Sequence, residues 1–371
     1  MIGELILPIN LRHKLFDKVK HTYYLDINNH YQNNMRVLFT LLFIFLFENL
    51  FSAEINLFTT RHYESDLDLY RKFEKKTGIK VNVVIGKSKP LEKRILEEGN
   101  SCIGDLLFLA DAGRLYSAQE KGLFKIINSP ILESIIPPQL RSQYWFGVTK
   151  RARIIFYNPE IMSYDEIKGL NYEDLSKKEF QSLIAIRQSN NVYNQSLVAS
   201  LIENNGVEFT EEWLKGFVQN FSRQPQGNDR AQILSVAAGE SKIAIANTYY
   251  YALMLSGKKG DDQMLAAKKV KPFFPNQKNR GTHMNISGIG ILKNAPNTNN
   301  AIKFVEFLLT PEAQSHIIKN TFEYPIIQGI KPSEHVSLMG LNFKQDNSTE
   351  VSSYGKWQKK AFELMQKSGW N

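Results

Sequence analysis

The sequence predicts an α/β protein of two lobes, each a mixed or parallel sheet flanked by helices. Strand-like apolar stretches alternate with amphipathic helical stretches along residues 54–123, and a second such set follows from about residue 183. Two long extended stretches, residues 144–160 and 280–293, stand where the chain would cross between lobes. The length of 371 residues suits about two domains of usual size. A ligand cleft is expected between the lobes.

Three predicted strands alternate with three predicted helices in the first lobe. They cover residues 54–60, 64–78, 80–86, 90–99, 105–111 and 112–123 in order. Leu67, Tyr70 and Phe73 stand at helical spacing in the first helix, and Gly78 is expected to end it. Strands separated by helices imply crossover connections and parallel pairing.

The second lobe is expected to begin at the first crossing. A strand in "SLIAIRQSN", a strand ending at Asn247 and a helix over residues 210–221 belong to it. Two amphipathic helices over residues 297–320 and one near Lys356–Met365 follow. The predicted division is residues 54–150 plus about 280–325 for the first lobe. The second lobe takes residues 151–279 plus about 326–371.

The N-terminal region reads as a leader. Arg36, the apolar run Val37–Phe47 and the small residues Ser52 and Ala53 are typical of a signal peptide over residues 35–53. The run is short for a membrane span, so the alternative is an interfacial anchor that stays attached. Residues 1–34 are expected to be a non-native extension. We therefore expect periplasmic export, and Cys102, the only cysteine, excludes an intramolecular disulfide.

Composition and motifs weaken two function classes. The net charge is +9, but the basic residues are scattered and no nucleic-acid-binding motif is present, so no nucleic-acid partner is expected. The sequence contains no GxxxxGK[ST], GxSxG or HExxH motif. An exported hydrolase would need a nucleophile and a base that the sequence does not pair, so an enzyme is not expected.

Tyrosines recur where predicted strands turn into helices. Tyr249 and Tyr250 follow Asn247 and Thr248 in "IAIANTYYYALML", where Asn and Thr are good helix N-caps. Tyr193 repeats the arrangement in "RQSNNVYNQS", and His62 with Tyr63 ends the first strand. Open α/β sheets bind ligands at such strand ends. The alternative is that each tyrosine is a half-buried packing residue with its hydroxyl in water.

Several phenols at one point predict a hard trivalent cation. A phenol has a pKa of about 10, so at neutral pH it ionises only beside a strong positive charge. Oxygen donors suit hard cations, and phenolates with one imidazole indicate Fe(III) over zinc or calcium. Binding would then release protons, so affinity should fall in acid.

Seven motifs in order carry a family resemblance. They are "RHY", "VTKRARIIFYN", "NVYNQSLVASLI", "PQGND", "ANTYYYA", "GTHMNISGIGILK" and "LTPEAQ". Together they resemble the periplasmic ferric-iron-binding proteins of ABC importers, in the FutA-like branch of the ferric-binding protein family. The resemblance covers roughly residues 54–330. It implies a type II clamshell that binds Fe(III) in its cleft and delivers it to an inner-membrane ABC permease.

The resemblance also implies the ligand set. Its metal ligands are His62, Tyr63, Tyr193, Tyr249 and Tyr250, with Tyr251 turned into packing and Arg153 supplying charge balance nearby. Family members often carry an arginine after the tyrosine triplet, where this chain has Leu253 and Met254. That departure leaves room for His62 as a fifth ligand or for a synergistic anion. We expect a monomer. The alternative function is a receptor for a small organic anion or a polyamine, with tyrosines as cleft walls.

Overall fold

The structure is a computed structural model that describes Lys18 and residues 53–371. Contacts divide the chain into two units, Met1–Ala53 and Glu54–Asn371, and the second carries every element described below. The predicted extension over residues 1–34 and the predicted signal peptide, apart from Ala53, lie outside the described residues. Within the part that the structure describes, no helix has the length and apolarity needed to cross a membrane.

A mixed sheet of nine strands forms the centre of residues 54–371. The strands are β1 (Glu54–Thr59), β2 (Lys80–Ile85), β3 (Leu106–Ala110), β4 (Trp145–Tyr157), β5 (Ile184–Ala185), β6 (Ile243–Asn247), β7 (Lys271–Phe273), β8 (Met284–Ile291) and β9 (Tyr324–Pro325). The strand order in the sheet is β2-β1-β3-β8-β4-β6-β5, and β7 and β9 pair with β4.

Helices flank this sheet. They are α1 (Glu64–Thr77), α2 (Ser88–Glu98), α3 (Ala112–Glu120), α4 (Pro130–Ile135), α5 (Tyr164–Ile167), α6 (Val192–Asn205), α7 (Val207–Gln219), α8 (Asp229–Ala237), α9 (Thr248–Leu255), α10 (Asp261–Lys268), α11 (Thr298–Leu308), α12 (Pro311–Thr321), α13 (Glu334–Ser337) and α14 (Ser352–Lys367). Short 3₁₀ turns lie at Gly99–Ser101, Pro138–Leu140, Tyr172–Ser176 and Lys178–Phe180.

The alternation of strands and helices predicted over residues 54–123 is confirmed. β1 pairs in parallel with both β2 and β3, as strands joined by helical crossovers should. α1 ends at Gly78, which adopts a left-handed φ of 72° and donates its N–H to the carbonyl of Glu74. Glycine adopts that conformation at low cost, so the predicted stop has its expected physical cause.

A strand in "SLIAIRQSN" is confirmed, and it is short. β5 contains only Ile184 and Ala185, which pair with the start of β6. Beyond them Arg187 donates to the carboxylate of Asp229.

The two predicted crossing segments form the long strands β4 and β8. Residues 145–152 of β4 pair with β8, and from Arg153 to Tyr157 the strand pairs with β6. β4 therefore pairs with β8 along its first part and with β6 along its second part, and the pairing partner changes between Ala152 and Arg153. The lobe boundaries themselves stay a prediction.

Close packing at Gly355 gives a first testable prediction. In α14, a β-carbon at Gly355 would lie 2.2 Å from the Cβ of Tyr116 on α3. Gly355→Ala should therefore lower the free energy of unfolding by about 1–3 kcal/mol, despite the better helix propensity of alanine. Denaturant unfolding measures this, with Lys359→Ala on the exposed side of α14 as control. Equal stability of Gly355→Ala and the original chain would contradict the packing.

Candidate metal centre

The tyrosine triplet opens α9 directly after β6. Tyr249 and Tyr250 occupy its first turn, as predicted. Asn247 stands at the N-cap position, but its side-chain oxygen accepts from Arg153 at 3.1 Å and makes no capping bond. The expected capping role of this side chain was therefore wrong, because the buried guanidinium competes for the same oxygen.

The other two corners present their tyrosines in the same way. Asn191 caps α6 by accepting from the backbone N–H of Tyr193 at 3.2 Å, which fixes Tyr193 in the first turn. Tyr63 stands immediately before α1 in an extended conformation, with φ of −85°. Each corner thus projects a phenol from the point where a helix begins.

The structure brings the predicted site residues together at one cavity of about 900 Å³. Tyr63, Tyr193, Tyr249, Tyr250 and His62 all line it. The hydroxyl of Tyr249 donates to that of Tyr193 at 3.4 Å, and the rings of Tyr249 and Tyr250 lie 4.1 Å apart. The exposed imidazole of His62 stacks on Tyr63 at 5.6 Å. That these groups ligate a metal stays a prediction.

Tyr251, the third tyrosine of the triplet, faces the other way. Its ring packs 4.9 Å from that of Phe156, and its hydroxyl donates to the carbonyl of Val270 at 2.7 Å. The side chain is buried. The expectation that Tyr251 serves packing is confirmed.

The phenols of the cavity resist ionisation. Burial, reinforced by Tyr193, Tyr250 and Tyr63, raises the pKa of Tyr249 well above its usual value. Burial likewise raises the pKa of Tyr250 to about 12. The pKa of Tyr63 rises through burial and the nearby Glu323 carboxylate. Without a cation these three side chains are neutral at physiological pH, so only a strongly positive ligand would convert them to phenolates.

Two arginines that the sequence did not single out lie against the tyrosines. The guanidinium carbon of Arg61 lies 5.0 Å from the ring centre of Tyr63, and that of Arg151 lies 5.4 Å from the ring centre of Tyr193. Both distances are within the range of cation–π attraction. "RHY" and "KRAR" contain them, but nothing in those strings says which arginine faces a ring.

Arg153, predicted to supply charge balance, lies behind the corners. Its guanidinium donates to Asp229 at 3.1 Å, to Asn194 at 2.5 Å and to Asn247. Asn194 follows Tyr193, and Asn247 precedes the triplet by two positions. Arg153 thus connects the two tyrosine-bearing corners, and its charge-balancing role stays a prediction.

The ionic groups bonded around the tyrosines carry a small positive excess. Arg61 pairs with Asp66 and Glu323, Arg151 with Glu323, and both Arg153 and Arg187 with Asp229. These four arginines and three carboxylates together carry a net charge of +1. The lining of the cavity adds further cations at Arg114, Arg230, Lys258 and Lys259, against the acidic Glu64 and Asp68.

A conventional carboxylate or imidazole metal site is not found in residues 53–371. No group of three or more His, Cys, Asp or Glu side chains within them could hold a metal ion. At the cavity, four phenols line one space, and the hydroxyls of Tyr193 and Tyr249 lie 3.4 Å apart. Phenol oxygens suit a hard cation of high charge.

Comparisons with known proteins identify the family of the chain. Residues 68–347 match the family model for bacterial extracellular solute-binding proteins. The chain is 44% identical to "Iron uptake protein A1" of Synechocystis sp., over 85% of this chain and 87% of that protein. It is 41% identical to "Iron uptake protein A2" of the same organism, over 86% of this chain and 90% of that protein.

Solved structures give the same result. A Trichodesmium protein, described as FutA in complex with iron and citrate ligands, is 47% identical with a TM-score of 0.83, covering 86% of this chain and 100% of that one. The ferric binding protein of Campylobacter jejuni is 39% identical with a TM-score of 0.79, covering 85% of this chain and 100% of that one. The chain belongs to the bacterial extracellular solute-binding protein family, in its FutA-like ferric-binding branch.

Proposed function

We propose that this protein is an extracytoplasmic receptor that captures Fe(III) and delivers it to an ABC permease in the inner membrane. The observation that carries the proposal is the meeting of four phenols, from three separate strand-to-helix corners, at one cavity. Tyr63, Tyr193, Tyr249 and Tyr250 would bind as tyrosinates. His62, exposed at the same cavity, would be the fifth ligand or would yield its place to an anion.

Charge favours this assignment. Four tyrosinates around Fe(III) carry one excess negative charge, and a buried excess is costly unless it is compensated. The bonded arginines and carboxylates around the tyrosines leave one positive charge to offset it. The cationic lining also suits a synergistic anion, and the Trichodesmium relative is described with iron and citrate.

The transport role follows from a two-lobed arrangement. In it, residues 54–150 with about 280–325 form one lobe, and residues 151–279 with about 326–371 form the other. Tyr193, Tyr249 and Tyr250 come from the second lobe, and closure brings Tyr63 and His62 from the first. A permease could then recognise the closed, iron-loaded shape. We further propose export to the periplasm through residues 35–53, action as a monomer, and no catalysis.

The remaining candidate is a receptor for a small organic anion. The arginines and lysines that line the cavity favour an anion and disfavour a polyamine, which would need an acidic cleft. Such a receptor would use the tyrosines as walls and bind no metal. Iron binding therefore separates the two functions.

The test is a visible absorption spectrum of the purified protein after addition of Fe(III) as a weak chelate. We expect a charge-transfer band from phenolate to Fe(III), with one iron per chain by metal analysis. Zinc and calcium, added in the same way, should neither produce the band nor displace the iron. A colourless protein without bound iron would exclude the ferric function and leave the organic-anion receptor.

A further inference from the structure

Glu323 lies between the two arginines that contact tyrosines of the cavity. One carboxylate oxygen accepts from Arg151 at 2.8 Å, and the other accepts from Arg61 at 3.4 Å. All three side chains are at most 3% exposed. These three residues, Glu323, Arg61 and Arg151, are called the Glu323 cluster below. Arg61 lies against Tyr63 and Arg151 against Tyr193, so one carboxylate is tied to two phenols from different segments.

The strands that carry the crossing hold the carboxylate in place. Thr149 of β4 donates its hydroxyl to Glu323 at 2.8 Å, and Ser287 of β8 donates its hydroxyl at 3.2 Å. Together with the two arginines, these donors use the roughly four acceptor positions of an ionised carboxylate. Glu323 therefore has no free position with which to bind a metal itself, although it borders the cavity.

Each arginine is also fixed at its other end. Arg61 makes a two-point contact with Asp66 at 2.8 and 3.1 Å. Arg151 donates to the carbonyl of Ile286 at 2.5 Å and to the hydroxyl of Ser287 at 2.8 Å. Planar guanidinium groups held at several points keep a defined position, and each of these two presents its positive charge to a tyrosine ring at 5.0 or 5.4 Å.

The two arginines of the cluster keep the Glu323 carboxylate ionised. Burial alone would raise the pKa of Glu323, but Arg151 and Arg61, with the Thr149 hydrogen bond, hold it below the ordinary range. The carboxylate is therefore ionised at neutral pH, and its negative charge is bonded to both arginines.

We propose that Glu323 is a positioning residue of the ferric site: it holds Arg61 and Arg151 against Tyr63 and Tyr193, and so aims both phenols at one metal ion. This inference rests on the proposed Fe(III) function. In the proposed division, Tyr63 belongs to the first lobe and Tyr193 to the second. The Glu323 cluster thus couples one ligand from each lobe through β4 and β8.

The test compares Glu323→Gln with the original protein, both loaded with Fe(III). The amide keeps the shape of the side chain but removes the negative charge and presents an NH₂ group to arginine donors. Arg61 retains Asp66, whereas Arg151 loses its only salt-bridge partner in the described chain. We expect one iron per chain, an affinity roughly 10–100-fold weaker, as for other supporting contacts of metal ligands, and a displaced charge-transfer band. The Fe(III)/Fe(II) potential should become more positive, because a nearby negative charge is gone.

Glu173→Gln is the matched control. Glu173 also pairs with a partly buried arginine, Arg280 at 2.5 Å, and accepts from Asn276, but it does not line the cavity. It should alter stability and leave the band and the potential unchanged. Glu323→Asp, which restores the charge on a shorter arm, should bring the potential back toward the original value.

The outcomes are distinguishable. If the original protein binds no iron, the proposed function is wrong. If the original protein binds iron and Glu323→Gln leaves the band, the affinity and the potential unchanged, only the positioning role is overturned. If Glu323→Gln fails to fold, Thr149→Val, which removes one bond to the carboxylate, replaces it. A smaller displacement of the same band then supports the proposal, and an unchanged band overturns it.

Discussion

Replacing Tyr249 and Tyr250 together by phenylalanine should abolish Fe(III) binding and remove the charge-transfer band. The change deletes two of four proposed phenolate donors and leaves both rings in place, so the packing at 4.1 Å can persist. Loss of an outer contact of a metal ligand typically costs about 10–100-fold in affinity, and loss of two ligands should cost far more. Metal analysis and the visible spectrum of the variant measure this directly.

The neighbouring tyrosine supplies the control. Tyr251→Phe removes a hydroxyl from the same helix, but that hydroxyl bonds the carbonyl of Val270 away from the cavity. This variant should keep one iron and its colour, and should lose about 1 kcal/mol of stability with its hydrogen bond. A double variant of Tyr249 and Tyr250 that still binds one iron with the original colour would show that the ligands lie elsewhere.

The second large effect is a steep dependence of Fe(III) affinity on pH. The pKa values of Tyr249, Tyr250 and Tyr63 are all raised above the ordinary value of about 10, so the iron-free protein holds these phenols protonated at neutral pH. Each phenol must lose its proton to bind as a phenolate. Acid therefore favours release, and affinity should fall about tenfold per pH unit for every proton released. The protons of these three phenols alone should make it fall roughly 1,000-fold per unit.

Competition with a chelator of known protonation behaviour, measured between about pH 5.5 and 8, gives this slope. Tyr63→Phe should reduce the slope by about one proton and leave the weaker site of three tyrosines. A chelator-corrected affinity that does not change across the range would contradict binding through phenols that start protonated.

The tyrosine corners could be predicted from the sequence because their signals are local. A strand, a polar turn and a helix stand within about ten residues at Tyr193 and at Tyr249, and the structure confirms each helix start. β5 and β6 pair in parallel, so the corners that follow them, with Tyr193 and Tyr249, lie at one edge of the sheet. β6 runs antiparallel to β1, so only the tertiary structure brings the Tyr63 corner to them. The assignment of Tyr251 to packing came from the family resemblance, and its buried hydroxyl, bonded to the carbonyl of Val270, confirms it.

The ionic groups around the tyrosines could not be predicted, because their partners are far apart along the chain. Glu323 is 262 residues from Arg61 and 172 from Arg151. A lone glutamate in "TFEYP" gives no signal of its role. Long-range pairs of this kind are set by the order of strands in the sheet, which a single sequence does not state.

Arg151 and Arg153 illustrate the division between sequence and structure. The sequence by itself determined the α/β class, the three tyrosine corners and the presence of basic residues in "KRAR" on an extended segment. Residues two apart on a strand share a face, so periodicity gave no reason to separate these two arginines. Only the tertiary structure separates them, because β4 changes its partner strand from β8 to β6 between Ala152 and Arg153. Arg151 therefore contacts Glu323 and Tyr193. Arg153 pairs instead with Asp229.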